Sequence, residues 1–275
     1  MSSRHRVAVP VSAAASQQLL GFNIRLAAAA RRKQWQQALH IKETMLSARS
    51  APSVVSYTSV INACGRAGKW EVSLEVFQEM QQAHVAPNAV THTTILSSFE
   101  VVKRWRLALS YLQSWEDSFL PRSLSDGSAE ENSIVYNAAI AAVGKSQAWQ
   151  TSLTLKERMQ QKSTTPNVVT YSILVNLCGK NSQWSRALAQ LEDMRQHAIR
   201  PNLVTYSALV DALQRGREWK VALGLLNEAR SDGLVIDQVT YGAAVAACES
   251  GSHWRGALAL LEEASSSSSS ASSAS

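Results

Sequence analysis

Six small hydrogen-bonding side chains, Asn23, Thr58, Thr93, Asn137, Ser172 and Ser207, recur along the chain at intervals of 35 residues, with one interval of 44. Three residues before each stands an aliphatic: Leu20, Val55, Val90, Ile134, Val169 and Val204, with Val239 continuing the row ahead of Gly242. Eight residues after the polar group comes a cation in five cases, Arg31, Arg66, Lys145, Lys180 and Arg215. Side chains three or four apart share one face of a helix, so all of these fall on a single stripe. A stripe that is aliphatic at its head, hydrogen-bonding in its middle and cationic at its foot suits a nucleotide: the aliphatic touches a base face, the polar group its edge, the cation a phosphate. Repeated in register, it suits one nucleotide per helix pair, the way helical repeats read single-stranded RNA. The same residue types also suit a groove for a peptide or partner helix. A cation near a helix C-terminus is favoured by the macrodipole, and small polar residues on a helix are often simply solvated.

A second series sets the elements that must carry this stripe. Seven of the eight tryptophans, Trp35, Trp70, Trp105, Trp149, Trp184, Trp219 and Trp254, are each followed three and four residues later by Ala or Ser and then Leu; Trp115 stands outside the series. The period implies an array of one supersecondary unit rather than one globular core. The register gives repeats at residues 19–53, 54–88, 89–132, 133–167, 168–202, 203–237 and 238–264, the third carrying a nine-residue insertion and the last partial. The fifth, VVTYSILVNLCGKNSQWSRALAQLEDMRQHAIRPN, splits around CGKNSQ into two helical patterns, so each repeat reads as a helical hairpin and the fold as all-α. Glycines Gly65, Gly68, Gly144, Gly179, Gly216 and Gly251 mark the turns, where glycine ends a helix at little steric cost. Pro52, Pro87, Pro166 and Pro201 close the repeats, because the residue before proline avoids helical geometry. Within the first helix the fourth place, Phe22, Tyr57, His92, Tyr136, Tyr171, Tyr206 and Tyr241, joins apolar residues at helical spacing to form the core face.

The bulk properties exclude more than they assign. Against 27 Lys and Arg stand 21 Asp and Glu, a net charge of +6 that permits a polyanionic partner. Cys64, Cys178 and Cys248 share one place of the repeat with Ala29, Phe99, Val143 and Leu213, which makes them packing residues, with no metal spacing and no disulfide framework. No stretch approaches the roughly 18 apolar residues of a membrane span. The acids gather in the second helices, at Glu79, Glu157, Glu192, Asp193, Glu228, Glu262 and Glu263, where a solvated outer face is expected. No nucleophile motif, phosphate-binding glycine loop or metal cluster stands out, so neither an enzyme, a cofactor nor a small-molecule substrate is expected. The first acid is Glu43; the basic, Ser- and Ala-rich segment before it resembles an organelle transit sequence, although only residues 1–18 precede the repeats, and a frayed terminus or truncated gene model fits them as well. Residues 265–275, SSSSSSASSAS, read as a disordered tail.

VVSYTSVINACGRAGKW, VVTYSILVNLCGK and LVTYSALVDALQRGREW, each opening a repeat, the last two directly after Pro-Asn, resemble pentatricopeptide repeats of the 35-residue P type over residues 19–264. The resemblance implies a right-handed α-solenoid that binds single-stranded RNA in a chloroplast or mitochondrion, with RNA-processing enzymes or other proteins as further partners. It assigns base choice to the fifth residue together with the last of the same repeat. Asn23 with Ser53 then implies cytosine, Thr58 with Asn88 adenine, Asn137 with Asn167 a pyrimidine, Ser172 with Asn202 adenine and Ser207 with Asp237 guanine. For Thr93 the partner is either Arg122 or Asn132, on the two sides of the insertion. The implied site, 5′ to 3′, is C-A-A-C/U-A-G, its third base the least determined. Asn, Asp and Ser are also good helix N-caps, which accounts for the types at the last place without accounting for the fifth.

Overall fold

The computed structural model describes the backbone of residues 13–119, 128–145 and 148–272, and side chains within 17–118, 130–145 and 148–264. These residues form seven helical hairpins. Every second helix begins on a tryptophan: α2 (Trp35–Ser47), α4 (Trp70–Gln82), α6 (Trp105–Phe119), α8 (Trp149–Gln161), α10 (Trp184–Gln196), α12 (Trp219–Ser231) and α14 (Trp254–Ser272). Among the first helices, α3 (Val54–Arg66), α5 (Ala89–Val101), α9 (Val168–Lys180), α11 (Leu203–Gly216) and α13 (Gln238–Ser250) begin where the register places them.

Three helices outrun the register. α1 (Ala13–Arg31) starts six residues before Leu19, over the helix-favouring AAASQQ. α7 (Ser128–Gly144) starts within the inserted stretch, where Glu130 and Glu131 lie in its first turn and are favoured by the macrodipole. α14 continues through the serine tract to Ser272, where the sequence leads one to expect a disordered tail; once a helix is nucleated, each further residue adds a hydrogen bond without a new nucleation cost. Among the described residues no helix is long and apolar enough to cross a membrane.

The chain divides into two compact bodies, one ending at Tyr111 and the other beginning at Leu112, with the division inside α6. In the N-terminal body the first helices α1, α3 and α5 pack side by side, and in the C-terminal body so do α7, α9, α11 and α13. Each body is thus an α-solenoid of stacked hairpins. The fourth-place residues Tyr57, His92, Tyr136, Tyr171, Tyr206 and Tyr241 are all buried. The three cysteines are free and buried, and burial pushes the Cys64 thiol up to about 11. Trp115, outside the tryptophan series, packs edge-on against Tyr136 with centroids 5.9 Å apart.

Two expectations about this framework need correcting. Only Gly68 among the predicted turn glycines has positive φ (76°); elsewhere the left-handed turn residue is Lys33, Lys103, Ser182, Arg217 or Ser252. The other glycines serve close packing between hairpins. A Cβ on Gly65 would meet Ser98 Cβ at 2.7 Å, one on Gly179 would meet Ala212 Cβ at 2.8 Å, and one on Gly216 would meet Trp184 Cδ1 at 2.5 Å. The second helices, moreover, do not simply offer their acids to solvent. Lys42 pairs with Glu79, Lys156 with Asp193 at 2.7 Å, Arg158 with Glu116 at 2.5 Å, Arg195 with Glu228 and Arg230 with Glu263, each tying one hairpin to the next. Core tyrosines share these acids: Tyr136 donates to Glu116 at 2.7 Å and Tyr171 to Asp193 at 2.9 Å. Desolvation raises the Asp193 carboxyl, but the Lys156 ammonium and Tyr171 hydroxyl more than offset this and hold it below its ordinary value.

Candidate nucleic-acid interface

Helical periodicity puts the fourth-place aromatic in the core and turns the second place away from it. Leu20, Val55, Val90, Ile134, Val169, Val204 and Val239 are accordingly 45–75% exposed, whereas Val60, Val175 and Val210, on the inner face of the same helices, are fully buried. An isolated exposed aliphatic is ordinary. One at the same place of every hairpin is not explained by packing, since these side chains contribute little to the core.

Beside this row lies a hydrogen-bonded chain at five of the hairpin junctions. The last residues Ser53, Asn88, Asn167, Asn202 and Asp237 are extended and N-cap the following helix; their side chains accept the backbone N–H of Ser56, Thr91, Thr170, Thr205 and Thr240. These third-place hydroxyls, all 0–1% exposed, reach back to the fifth residue of the preceding repeat. Ser56 donates to Asn23 Oδ1 at 2.7 Å and Thr170 to Asn137 Oδ1 at 2.7 Å. Thr58 bonds Thr91 at 2.9 Å, Ser172 bonds Thr205 at 2.9 Å, and Ser207 bonds Thr240. In the fourth repeat the fifth and last residues also meet directly, Asn137 Nδ2 donating to Asn167 Oδ1 at 3.3 Å. The fifth and last places are therefore coupled through a buried hydroxyl that the sequence reading passed over. Its signal was available: Ser or Thr three residues after an N-cap is a variant of the capping box.

The junction after the third repeat departs from this pattern. Asn132 lies inside α7 rather than capping it, and the third-place residue is Val135, which has no hydroxyl. Thr93 donates to Val90 O within its own helix at 2.9 Å. Arg122, the other proposed partner of Thr93, falls outside the described residues. Gly242 is exposed with open space around its Cα.

At the foot of the stripe Arg31, Arg66, Lys145, Lys180 and Arg215 are all exposed, at or next to the C-terminal turn of a first helix. Arg215 is bonded to Asp211 one turn earlier at 3.1 Å, so part of its charge is spent within the stripe. Val101 and Ser250 occupy this place in the third and seventh repeats. Among the described residues no group of His, Cys, Asp and Glu is arranged to hold a metal ion.

Comparison with known proteins adds a family relationship to this geometry. Residues 52–100 and 131–180 match the PPR repeat family, residues 18–67 the Pentatricopeptide repeat domain, and residues 169–199 and 204–234 the PPR repeat. No curated protein sequence matches significantly. Among solved structures, the pentatricopeptide repeat protein PPR10 in complex with an 18-nt psaJ RNA element is similar at 22% identity and a TM-score of 0.58, covering 92% of this chain and 36% of PPR10. The Arabidopsis thaliana nuclear protein-only RNase P 2 is similar at 11% identity and a TM-score of 0.50, covering 72% of this chain and 41% of that one. The chain thus spans about two fifths or less of the length of these neighbours, and at such identities the likeness speaks to the fold.

Proposed function

The chain belongs to the pentatricopeptide repeat family, and from that premise we propose that it binds single-stranded RNA in an organelle, sequence-selectively and one nucleotide per repeat. It acts by occupying its site: shielding a transcript, remodelling it, or recruiting an RNA-processing enzyme. The observation that carries this reading is the register of seven exposed aliphatics, accompanied in six repeats by a hydrogen-bonding side chain and in five by an exposed cation. Base faces stack against the aliphatics of successive repeats; Asn23, Thr58, Asn137, Ser172 and Ser207 read base edges together with Ser53, Asn88, Asn167, Asn202 and Asp237, and Thr93 reads one from the third repeat. Arg31, Arg66, Lys145, Lys180 and Arg215 meet phosphates, and the RNA site is C-A-A-C/U-A-G.

Filter binding of single-stranded RNA across a salt series tests the reading. Five phosphate contacts predict that log affinity falls against log salt with a slope of roughly 3 to 4. Replacing the five cations together by Gln is expected to abolish binding while leaving helicity intact. A flat salt response, or a co-purifying protein partner with no RNA binding, would overturn the reading in favour of a protein-binding groove.

A further inference from the structure

The third-place hydroxyls Ser56, Thr91, Thr170, Thr205 and Thr240 each have one proton and two claimants, the last residue of the preceding repeat and the fifth residue of that repeat. We propose that this hydroxyl is a specificity-positioning group: it relays the chemistry of the last residue to the fifth, and so sets whether the fifth residue offers a donor or an acceptor to a base. The proposal rests on the RNA-reading function above.

The sixth repeat shows the relay in its committed form. Thr240 Oγ1 donates to Asp237 Oδ1 at 2.5 Å, and the same carboxylate oxygen accepts the Thr240 backbone N–H at 2.8 Å. A carboxylate only accepts, and a charge-assisted hydrogen bond is roughly twice as strong as a neutral one, so the Thr240 proton stays on Asp237. The hydrogen bond between Ser207 and Thr240 must then use the Ser207 proton. Ser207 is left with lone pairs, which match a base edge carrying an N–H at its centre: the keto bases, guanine at N1 and uracil at N3.

In the fifth repeat the same hydroxyl is held less firmly. Thr205 Oγ1 donates to the neutral amide oxygen of Asn202 at 2.9 Å and lies 2.9 Å from Ser172 Oγ. Turning the Thr205 proton onto Ser172 releases the Ser172 proton outward, towards a base edge with a central acceptor: the amino bases, adenine at N1 and cytosine at N3. Thr205 matters here because the alternative acceptor for Ser172 is Val168 O, 2.8 Å away in its own helix. Without the Thr205 hydroxyl the Ser172 proton remains on that carbonyl and the outward donor is lost.

The test uses the full chain and four single-stranded RNAs, C-A-A-C-A-N within flanking uridines, differing only in the base N opposite the sixth repeat. The wild-type protein is expected to prefer guanine and uracil over adenine and cytosine there by about tenfold or more. Thr240→Val keeps the backbone N–H that Asp237 caps but removes the relay. It is expected to bring the four RNAs within about twofold of one another, while Thr240→Ser restores the preference. Thr205→Val, read on RNAs varied opposite the fifth repeat, is expected to erase the preference for adenine and cytosine, and it carries the test if the first variant fails to fold in a circular-dichroism melt. Keto preference retained in folded Thr240→Val, or affinity lowered equally for all four RNAs, overturns the relay and leaves a capping role. Wild-type protein that binds none of the RNAs, or all alike, overturns the RNA-reading function itself and the relay with it.

Discussion

Gly251 and Trp219 meet in successive hairpins at a separation that leaves no room for a side chain: a Cβ on Gly251 would stand 2.0 Å from Trp219 Cδ1. Trp219 is also held by His253, stacked on it at 4.0 Å with the rings 15° apart. Gly251→Ala is therefore expected to destabilise the C-terminal body by about 1–3 kcal/mol through overpacking. Gly224→Ala, in α12 with nothing within 4 Å of its Cβ, is expected to stabilise it by about 0.5–1 kcal/mol through helix propensity. Urea unfolding of the two variants checks both signs.

His92 is the one imidazole at the fourth place of a repeat, enclosed by Phe77 and Tyr111, and its Nδ1 lies 2.8 Å from the Tyr111 hydroxyl. Desolvation by burial lowers it to about 4. An unfolded histidine titrates near 6.5, so below that pH the unfolded chain takes up a proton that the folded chain refuses, and stability falls as pH drops towards 4. Between pH 8 and 5 the loss is on the order of 2 kcal/mol. Unfolding midpoints measured across that range should flatten in His92→Phe.

Asp193 works in the opposite part of the scale. Its carboxyl is depressed in the folded protein, despite the desolvation that opposes this, by Lys156 and Tyr171. The stability it contributes is present above the ordinary carboxylate range, near pH 4, and is lost as pH falls below it. Asp193→Asn should cost about 1–3 kcal/mol at neutral pH, because it removes the carboxylate countercharge and leaves the buried Lys156 ammonium with only neutral amide oxygens, Gln190 Oε1 among them, to accept its hydrogen bonds. It should also make the acid limb of the pH–stability curve shallower.

Arg215 is the one cation of the stripe with an acid a single turn away, and Asp211→Asn should release it. Affinity for single-stranded RNA is expected to rise about two- to fivefold at low salt, with a steeper salt dependence. By the same reasoning Arg215→Gln should cost less than Lys180→Gln. Filter binding at two salt concentrations separates the four proteins.

Elements that depend on local pattern were legible in the sequence. Tryptophan marks the first residue of all seven second helices, and Ser53, Asn88, Asn167, Asn202 and Asp237 stand at the N-caps where the register puts them. What escaped depends on contacts between repeats. Nothing in the neighbourhood of Gly216 distinguishes a turn glycine from one facing Trp184, and Glu228 reads as a surface acid until Arg195 and Tyr206 close on it from neighbouring helices. The third-place threonines are hidden for a related reason: Thr170 looks like an ordinary helical residue after two valines, and its link to Asn137 spans 33 positions. SAEEN reads as an insertion in the sequence, whereas its alanine and acids extend α7 backwards past Asn132, which so falls inside the helix and not at its cap.

Selection of bound sequences from a random single-stranded RNA pool, run in parallel on the wild-type chain and on Ser207→Asn, tests the central claim most directly. One nucleotide per repeat predicts enrichment of C-A-A-C/U-A-G by the wild type, with a change from guanine to uracil at the last base alone in the variant. Pools that stay unenriched, or a variant whose preference is unchanged or altered at several bases at once, would contradict it.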